Sequence, residues 1–252
     1  MAEVVTVLSE KGGVGKTAWA CHIAWAGQDA GLSVCVGDFD TQGNASQRLS
    51  GNMTINRKRK GGAEQIWLND DPSTWALSSG LGDGISILHG HKGLEALDKS
   101  SEYLQASLGM RDRIKSLPFD RIVFDTPPSI GLRVAAPLFW SDLAVVVIEP
   151  SSEAIGGLAD TIETVKAAQR QNPRLKWRLL VNCVVKTSRV QSEIREKLAS
   201  VYGRETIAEI SRRQPVADAL GQHTAVWNSG ARDKALKTQW RTIATNIVNL
   251  KV

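Results

Sequence analysis

The sequence predicts an α/β fold, a doubly wound and mostly parallel sheet with helices on both faces, from three observations. Six short apolar runs rich in Val and Ile recur along the chain, each bounded by turn residues. Between them lie stretches whose apolar residues fall at three- and four-residue steps, the spacing of helices that cover a sheet. The 252 residues show no internal repeat or low-complexity tract and suffice for one large buried core, so a single domain is expected over residues 1–252.

The elements follow in chain order. "VVTVLS" is the first strand, and the Gly-rich "SEKGGVGKTA" after it opens a helix near Lys16. "SVCVGDFD" is the second. Residues 51–84, dense in Gly, Asn, Asp and Ser, are expected to be surface loops around a short helix near "AEQIWL", with the Arg57-Lys58-Arg59-Lys60 run merely solvated. "ISILHG", "RIVFDTPP" and "LAVVVIEP" are the next three strands. Ile155, Leu158, Ile162 and Val165 then mark the inner face of a helix, and "WRLLVNCVV" is the sixth strand. Leu236, Trp240, Ile243, Ile247 and Leu250 predict a last helix packed on the sheet, and Trp177 and Trp227 are expected to be packing residues. Ligands of such sheets sit beyond the carboxyl ends of the strands. The first, second and fourth runs end in "SEKGGVGKT", "DFDTQGN" and "DTPPS", so these three motifs should converge in one crevice.

Composition narrows the function classes. The start has no basic segment followed by a long apolar run, and nowhere do about 18 apolar residues follow one another, so a soluble, cytoplasmic protein is expected. Cys21, Cys35 and Cys183 are scattered without C-x-x-C spacing, which suggests neither a disulfide framework nor a zinc site; they are expected to be small buried hydrophobes. Charge is uneven: residues 166–213 carry 12 Lys and Arg against 4 Glu, while the whole chain is only +5. A basic C-terminal third points one face at a polyanion.

The first motif carries the chemistry. A phosphate-binding loop reads G-x-x-x-x-G-K-[ST]; Gly15, Lys16 and Thr17 meet its end, but Glu10 stands where the first glycine belongs and a lysine follows at position 11. Gly12, Gly13, Val14 and Gly15 let backbone N–H groups approach an anion closely, at the positive end of the helix. Lys16 would reach the β- and γ-phosphates of a nucleotide and the Thr17 hydroxyl would ligate Mg2+. Asp125 closes an apolar strand, as a Walker B carboxylate near the metal does. Asp38 and Asp40, two apart at a strand end, offer one carboxylate for the metal and one for an attacking water.

"KGGVGKT", "DFDTQGN" and "DTPPS" together closely resemble the deviant Walker A ATPases of the ParA/MinD superfamily, most of all its ParA (Soj) partition branch. The resemblance covers most of the chain. It implies that Lys11 crosses a dimer interface to the phosphates of ATP held by the partner subunit, which removes the need for the opening glycine. It implies further that Asp40 positions the hydrolytic water, that Asp38 and Asp125 act around Mg2+, and that Asn182 hydrogen-bonds adenine. Asn182 interrupts an apolar strand, where a buried amide needs partners, so a purely structural bond is the alternative. Two departures stand out: Ala18 replaces a hydroxyl that would contact the α-phosphate, and Thr41 stands where proline is common.

Relatives that depend on other chemistry fit poorly. No cysteine lies between Cys35 and Cys183 for an iron–sulfur bridge, and Tyr103 and Tyr202 do not form a tyrosine cluster. A MinD-like membrane-associated positioning ATPase is the alternative, since "KALKTQWRTIATNIVNLKV" is amphipathic and basic, but its apolar spacing suits packing and no membrane is expected. A metabolic P-loop enzyme of the dethiobiotin synthetase type would need neither surface. The partition resemblance implies an ATP-dependent homodimer that binds DNA without sequence preference, associates with the nucleoid, and is released when a ParB-type centromere-binding partner stimulates hydrolysis. Lys186 and Arg189 in "VVKTSRVQ" and Arg212 and Arg213 in "ISRRQPVADA" are the DNA candidates. The phosphate loop begins near residue 11, leaving no room before it for a helix-turn-helix, so operator-specific repression is not expected.

Overall fold

Val5 and Val7 point to one side of the first strand and Val4 and Leu8 to the other, and all four are buried. Such double-sided burial is the mark of a parallel sheet covered on both faces. The computed structural model describes residues 1–51, 62–69, 71–72, 75, 77–152 and 154–250; the Arg57–Lys60 run, the Ile155 side chain and Lys251 lie outside them. The strands are β1 (Glu3–Leu8), β2 (Val34–Asp38), β3 (Ser78–Ser79), β4 (Ile85–Leu88), β5 (Arg121–Asp125), β6 (Leu143–Ile148), β7 (Lys176–Val184) and β8 (Thr206–Ser211). They form one sheet in the order β3-β4-β2-β5-β1-β6-β7-β8. Every pairing is parallel except that of β3 with β4. All six expected strands are present. β3 and β8 were not expected: β3 spans two residues, and β8 is an edge strand whose residues other than Ile210 are only half-buried, so its sequence lacks a strong apolar signal.

The helices are α1 (Lys16–Asp29), α2 (Asn44–Ser50), α3 (Gln65–Leu68), α4 (Ser101–Leu108), α5 (Arg111–Lys115), α6 (Leu132–Trp140), α7 (Ala154–Gln171), α8 (Arg189–Tyr202), α9 (Gln214–Gly221) and α10 (Lys234–Asn249). Their starts follow local chemistry. The Ser100, Ser188 and Asp233 side chains accept the N–H of Tyr103, Gln191 and Leu236, capping α4, α8 and α10. A core on one face joins α1, α2, α9 and α10 to the sheet, and two cores on the other lie under α4, α5 and α6 and under α7 and α8. The apolar stripe expected for α10 is buried from Leu236 to Ile247, and the Trp240 ring stacks on Trp19 of α1 at 3.9 Å. Its apolar face is therefore committed to the core. Among the described residues no helix is long and apolar enough to cross a membrane.

Candidate functional site

Because β5 lies between β1 and β2 and all three run parallel, their carboxyl ends deliver the three motifs to one place. Asp38 and Asp125 are register partners at the ends of β2 and β5. The loop after β1 turns into α1 through Gly15, at φ 99°, a left-handed conformation that glycine adopts at little cost. Space demands glycine there as well, since a Cβ on Gly15 would lie 2.4 Å from the Asn182 amide nitrogen.

Lys16 is buried, and its Nζ donates to the Lys11 carbonyl at 3.0 Å. Burial lowers its pKa, while Asp125 and Asp40 oppose that fall. The Thr17 hydroxyl donates to Asp125 Oδ2 at 2.7 Å. Asp125 is fully buried, and its Oδ1 has no hydrogen-bond partner among the described residues. Burial first, and then neighbouring Asp38, push this carboxyl well above the usual range, with Thr17 and Lys16 pulling the other way. Burial also drives Asp38 up to about 6, although Ser46 N–H and Oγ donate to its Oδ2 at 2.8 and 2.7 Å and Asp40 N–H donates to Oδ1 at 3.1 Å. Asp40 is half-buried and accepts from the Gln42 N–H at 2.9 Å.

These residues fit a magnesium-bound polyphosphate. An orphaned buried carboxylate oxygen beside a hydroxyl is what a hard cation takes as ligands, and two raised carboxyl pKa values mark a place short of positive charge. Thr17 and Asp125 are the groups that would hold Mg2+, with Asp38 behind them.

The remaining candidates are less tightly gathered. Lys11 Nζ donates to Ser151 Oγ of its own chain at 3.0 Å. Glu10 is fastened to α7, its N–H donating to Thr161 Oγ1 and its carboxylate accepting from Thr164 Oγ1, both at 3.4 Å. The position that a glycine usually fills is thus an anchor, with Lys11 at the loop's rim. The Asn182 amide donates to the Val14 carbonyl at 2.8 Å, which is the structural bond that the sequence left open. Asn182 also lines a groove of about 320 Å³, with Gly13, Gly15, Ala18, Cys183 and Arg212 among its other lining residues. Cys183 departs from expectation, being only half-buried and at φ 56°.

Of the basic candidates, Lys186 and Arg213 line an open groove of about 740 Å³ along β8, shared with Glu209 and Asp233. Arg212 borders the groove beside the phosphate loop and pairs with Glu149 at 2.8 Å. Arg189 stands at the start of α8 with its side chain 93% exposed, 3.3 Å from Glu193. Arg213 lines both grooves, one with Lys186 and the other with Arg212, and Arg189 lines neither of them. Sequence reasoning missed Ser46, Glu149 and Ser151. Ser46 adjoins the "DFDTQGN" motif and so had a local signal; Ser151 lies 140 residues from Lys11 and had none.

Residues 2–177 match the family model described as an AAA domain. Protein IncC of Escherichia coli is 30% identical over 233 residues; the match takes in 90% of this chain but 63% of that relative, so this chain spans less than two thirds of its length. McdA from Cyanothece in complex with ATP superposes with a TM-score of 0.78 at 16% identity, covering 98% of this chain and 96% of the other. Cobyrinic acid a,c-diamide synthase from Mycobacterium smegmatis, with a bound ATP analog and magnesium, gives 0.78 at 21% identity, covering 98% and 94%. At such identities these two structures speak for the fold alone.

Proposed function

We propose that this chain, a member of the AAA-domain family by the match over residues 2–177 and similar to protein IncC of Escherichia coli, is a ParA/MinD-type partition ATPase, an ATP-driven switch that binds DNA as a dimer and lets go on hydrolysis. The observation that carries the reading is the convergence of Lys16, Thr17, Asp38 and Asp125 in one crevice, with one Asp125 oxygen lacking a partner among the described residues. ATP is the substrate. Loop N–H groups and Lys16 bind its phosphates, Asn182 and the 320 Å³ groove receive the base, and Thr17 and Asp125 would hold Mg2+, which would supply positive charge toward the phosphoryl oxygens. Asp40 orients a water toward the γ-phosphorus. Attack breaks the bond to the bridging oxygen and yields ADP and phosphate.

Lys11 supplies the switch. Leaving Ser151, it reaches the phosphates bound by a second subunit, so ATP closes a homodimer and brings two basic C-terminal surfaces onto one polyanion. Two weak surfaces on one body gain affinity through effective concentration. Lys186, Arg189, Arg212 and Arg213 are the proposed DNA contacts, and a ParB-type partner that speeds hydrolysis would release the dimer. In cells such a protein would be cytoplasmic and nucleoid-associated.

Co-sedimentation with DNA and with anionic liposomes, each with ATP and with ADP, tests this reading. Retention on DNA with ATP but not ADP is expected. Retention on liposomes instead would support a membrane-positioning ATPase, and retention on neither would support a metabolic enzyme.

A further inference from the structure

Arg133 is a buried cation on helix α6, whose Leu132, Val134, Ala136, Leu138 and Trp140 are buried as well. A guanidinium in such a place needs a counter-charge and an acceptor for its donors. Asp98 supplies the charge. Its Oδ2 accepts from Arg133 Nε at 2.8 Å and lies 2.7 Å from Nη2, while its Oδ1 accepts from the Arg133 backbone N–H at 3.1 Å in the first turn of α6. A Cβ on Gly131 would meet that oxygen at 2.6 Å, so the segment between β5 and α6 approaches Asp98 as closely as glycine permits.

Nη1 goes elsewhere. It donates at 3.3 Å to the carbonyl of Phe39, the residue between Asp38 and Asp40. The Phe39 N–H in turn donates to the Asp125 carbonyl at 2.8 Å. Both peptide groups of Phe39 are thereby fixed, one by β5 and one by α6, and the next residue is Asp40. We propose that Arg133, held by Asp98, is a positioning residue for ATP hydrolysis: it sets the peptide that carries Asp40 and ties it to the segment that follows Asp125. The proposal rests on the assignment of Asp40 to the attacking water. No part of Arg133 touches the phosphate loop in the hydrogen bonds and ion pairs it makes, so nucleotide binding and turnover should separate.

The experiment compares Arg133→Met, the double variant Arg133→Met with Asp98→Asn, and Asp40→Ala, measuring ATP affinity, kcat and thermal midpoint. Arg133→Met is expected to keep ATP affinity while kcat falls ~10- to ~100-fold, the range for a small misplacement of a reacting group. It also strands the Asp98 carboxylate, so the midpoint should drop. The double variant removes that stranded charge, and its midpoint should recover while kcat stays low. If kcat recovers along with the midpoint, or never falls, Arg133 is only a structural ion pair and the proposal is overturned. Asp40→Ala separates the two levels: parental turnover in it removes the assignment beneath the proposal, whereas lost turnover in it with parental turnover in both Arg133 variants overturns the proposal alone.

Discussion

At the scale of single residues, two lysines five positions apart have different surroundings and so different expected roles. Lys16 is buried against two carboxylates and donates inward to the Lys11 carbonyl, whereas Lys11 reaches sideways to Ser151 at the rim of the loop. Lys16→Ala should abolish ATP binding, because a phosphate chain sunk in that crevice loses its principal cation. Lys11→Ala should leave ATP binding by the monomer largely intact, since Lys16, Thr17 and the loop N–H groups remain, but should lose ATP-dependent dimerisation. Equilibrium nucleotide binding and sedimentation velocity read the two effects separately. A normal ATP dimer from Lys11→Ala would sink the cross-subunit role. The convergence of Lys16, Thr17 and Asp125 was legible in the sequence because each sits in a short motif whose spacing is dictated by the ligand it is proposed to hold. Arg133, Asp98 and Ser151 were not legible, because each acts through a partner dozens of residues away or more, and spacing carries no trace of such a contact.

At the scale of elements, the packing of α10 on α1 decides between two readings of the last helix and makes a stability prediction. The stripe Leu236, Trp240, Ile243 and Ile247 was legible as a helix face, and its apolar spacing favoured packing on the sheet over the lipid surface that an amphipathic basic helix can also suit. The fold answers with aromatic rings: His22 of α1 sits among Trp25, Trp227 and Trp240 and is fully buried. Its Nδ1 meets the Ala18 carbonyl at 2.7 Å and its Nε2 faces the Val226 N–H at 3.1 Å. Nδ1 must therefore donate and Nε2 accept, which only the neutral ring can do. Burial accordingly lowers its pKa from 6.5 to about 4. Below pH 6.5 the unfolded chain takes up a proton that the folded chain refuses, so this group's contribution is fully present above 6.5 and lost as pH falls to about 4, amounting to ~3 kcal/mol. Urea midpoints of the parent should fall across that window, and His22→Gln, whose amide offers one donor and one acceptor, should flatten the fall. Parallel pH profiles would show that His22 carries none of it. β8, by contrast, escaped the sequence reading because an edge strand with one fully buried residue has too little apolar contrast to announce itself.

At the scale of the whole molecule, the proposed DNA surface depends on a basic C-terminal third whose members the fold distributes over different neighbours. Arg212 is a poor probe of it, because its pairing with Glu149 and its place beside the phosphate loop mix DNA and nucleotide effects. Arg189 is a clean one: its side chain is 93% exposed, and its ion pair with Glu193, between two largely exposed groups, holds it weakly. Each phosphate that a protein neutralises steepens the fall of log affinity with log salt by ~0.9 on duplex DNA. A dimer presents Arg189 twice, so Arg189→Gln should make that slope shallower by ~1.8 if both copies contact DNA. ATP affinity and ATP-driven dimerisation should not change, because α8 begins outside both the phosphate loop and the groove beside it. The loss should appear with duplexes of any sequence, since a phosphate contact reads no bases. Titrations of the ATP-bound protein on DNA at several salt concentrations supply the slope. A variant that binds with the parent's slope would leave α8 as an ordinary solvated helix, and the polyanion would then have to meet the chain along the β8 groove, where Lys186 and Arg213 share their surface with Glu209 and Asp233.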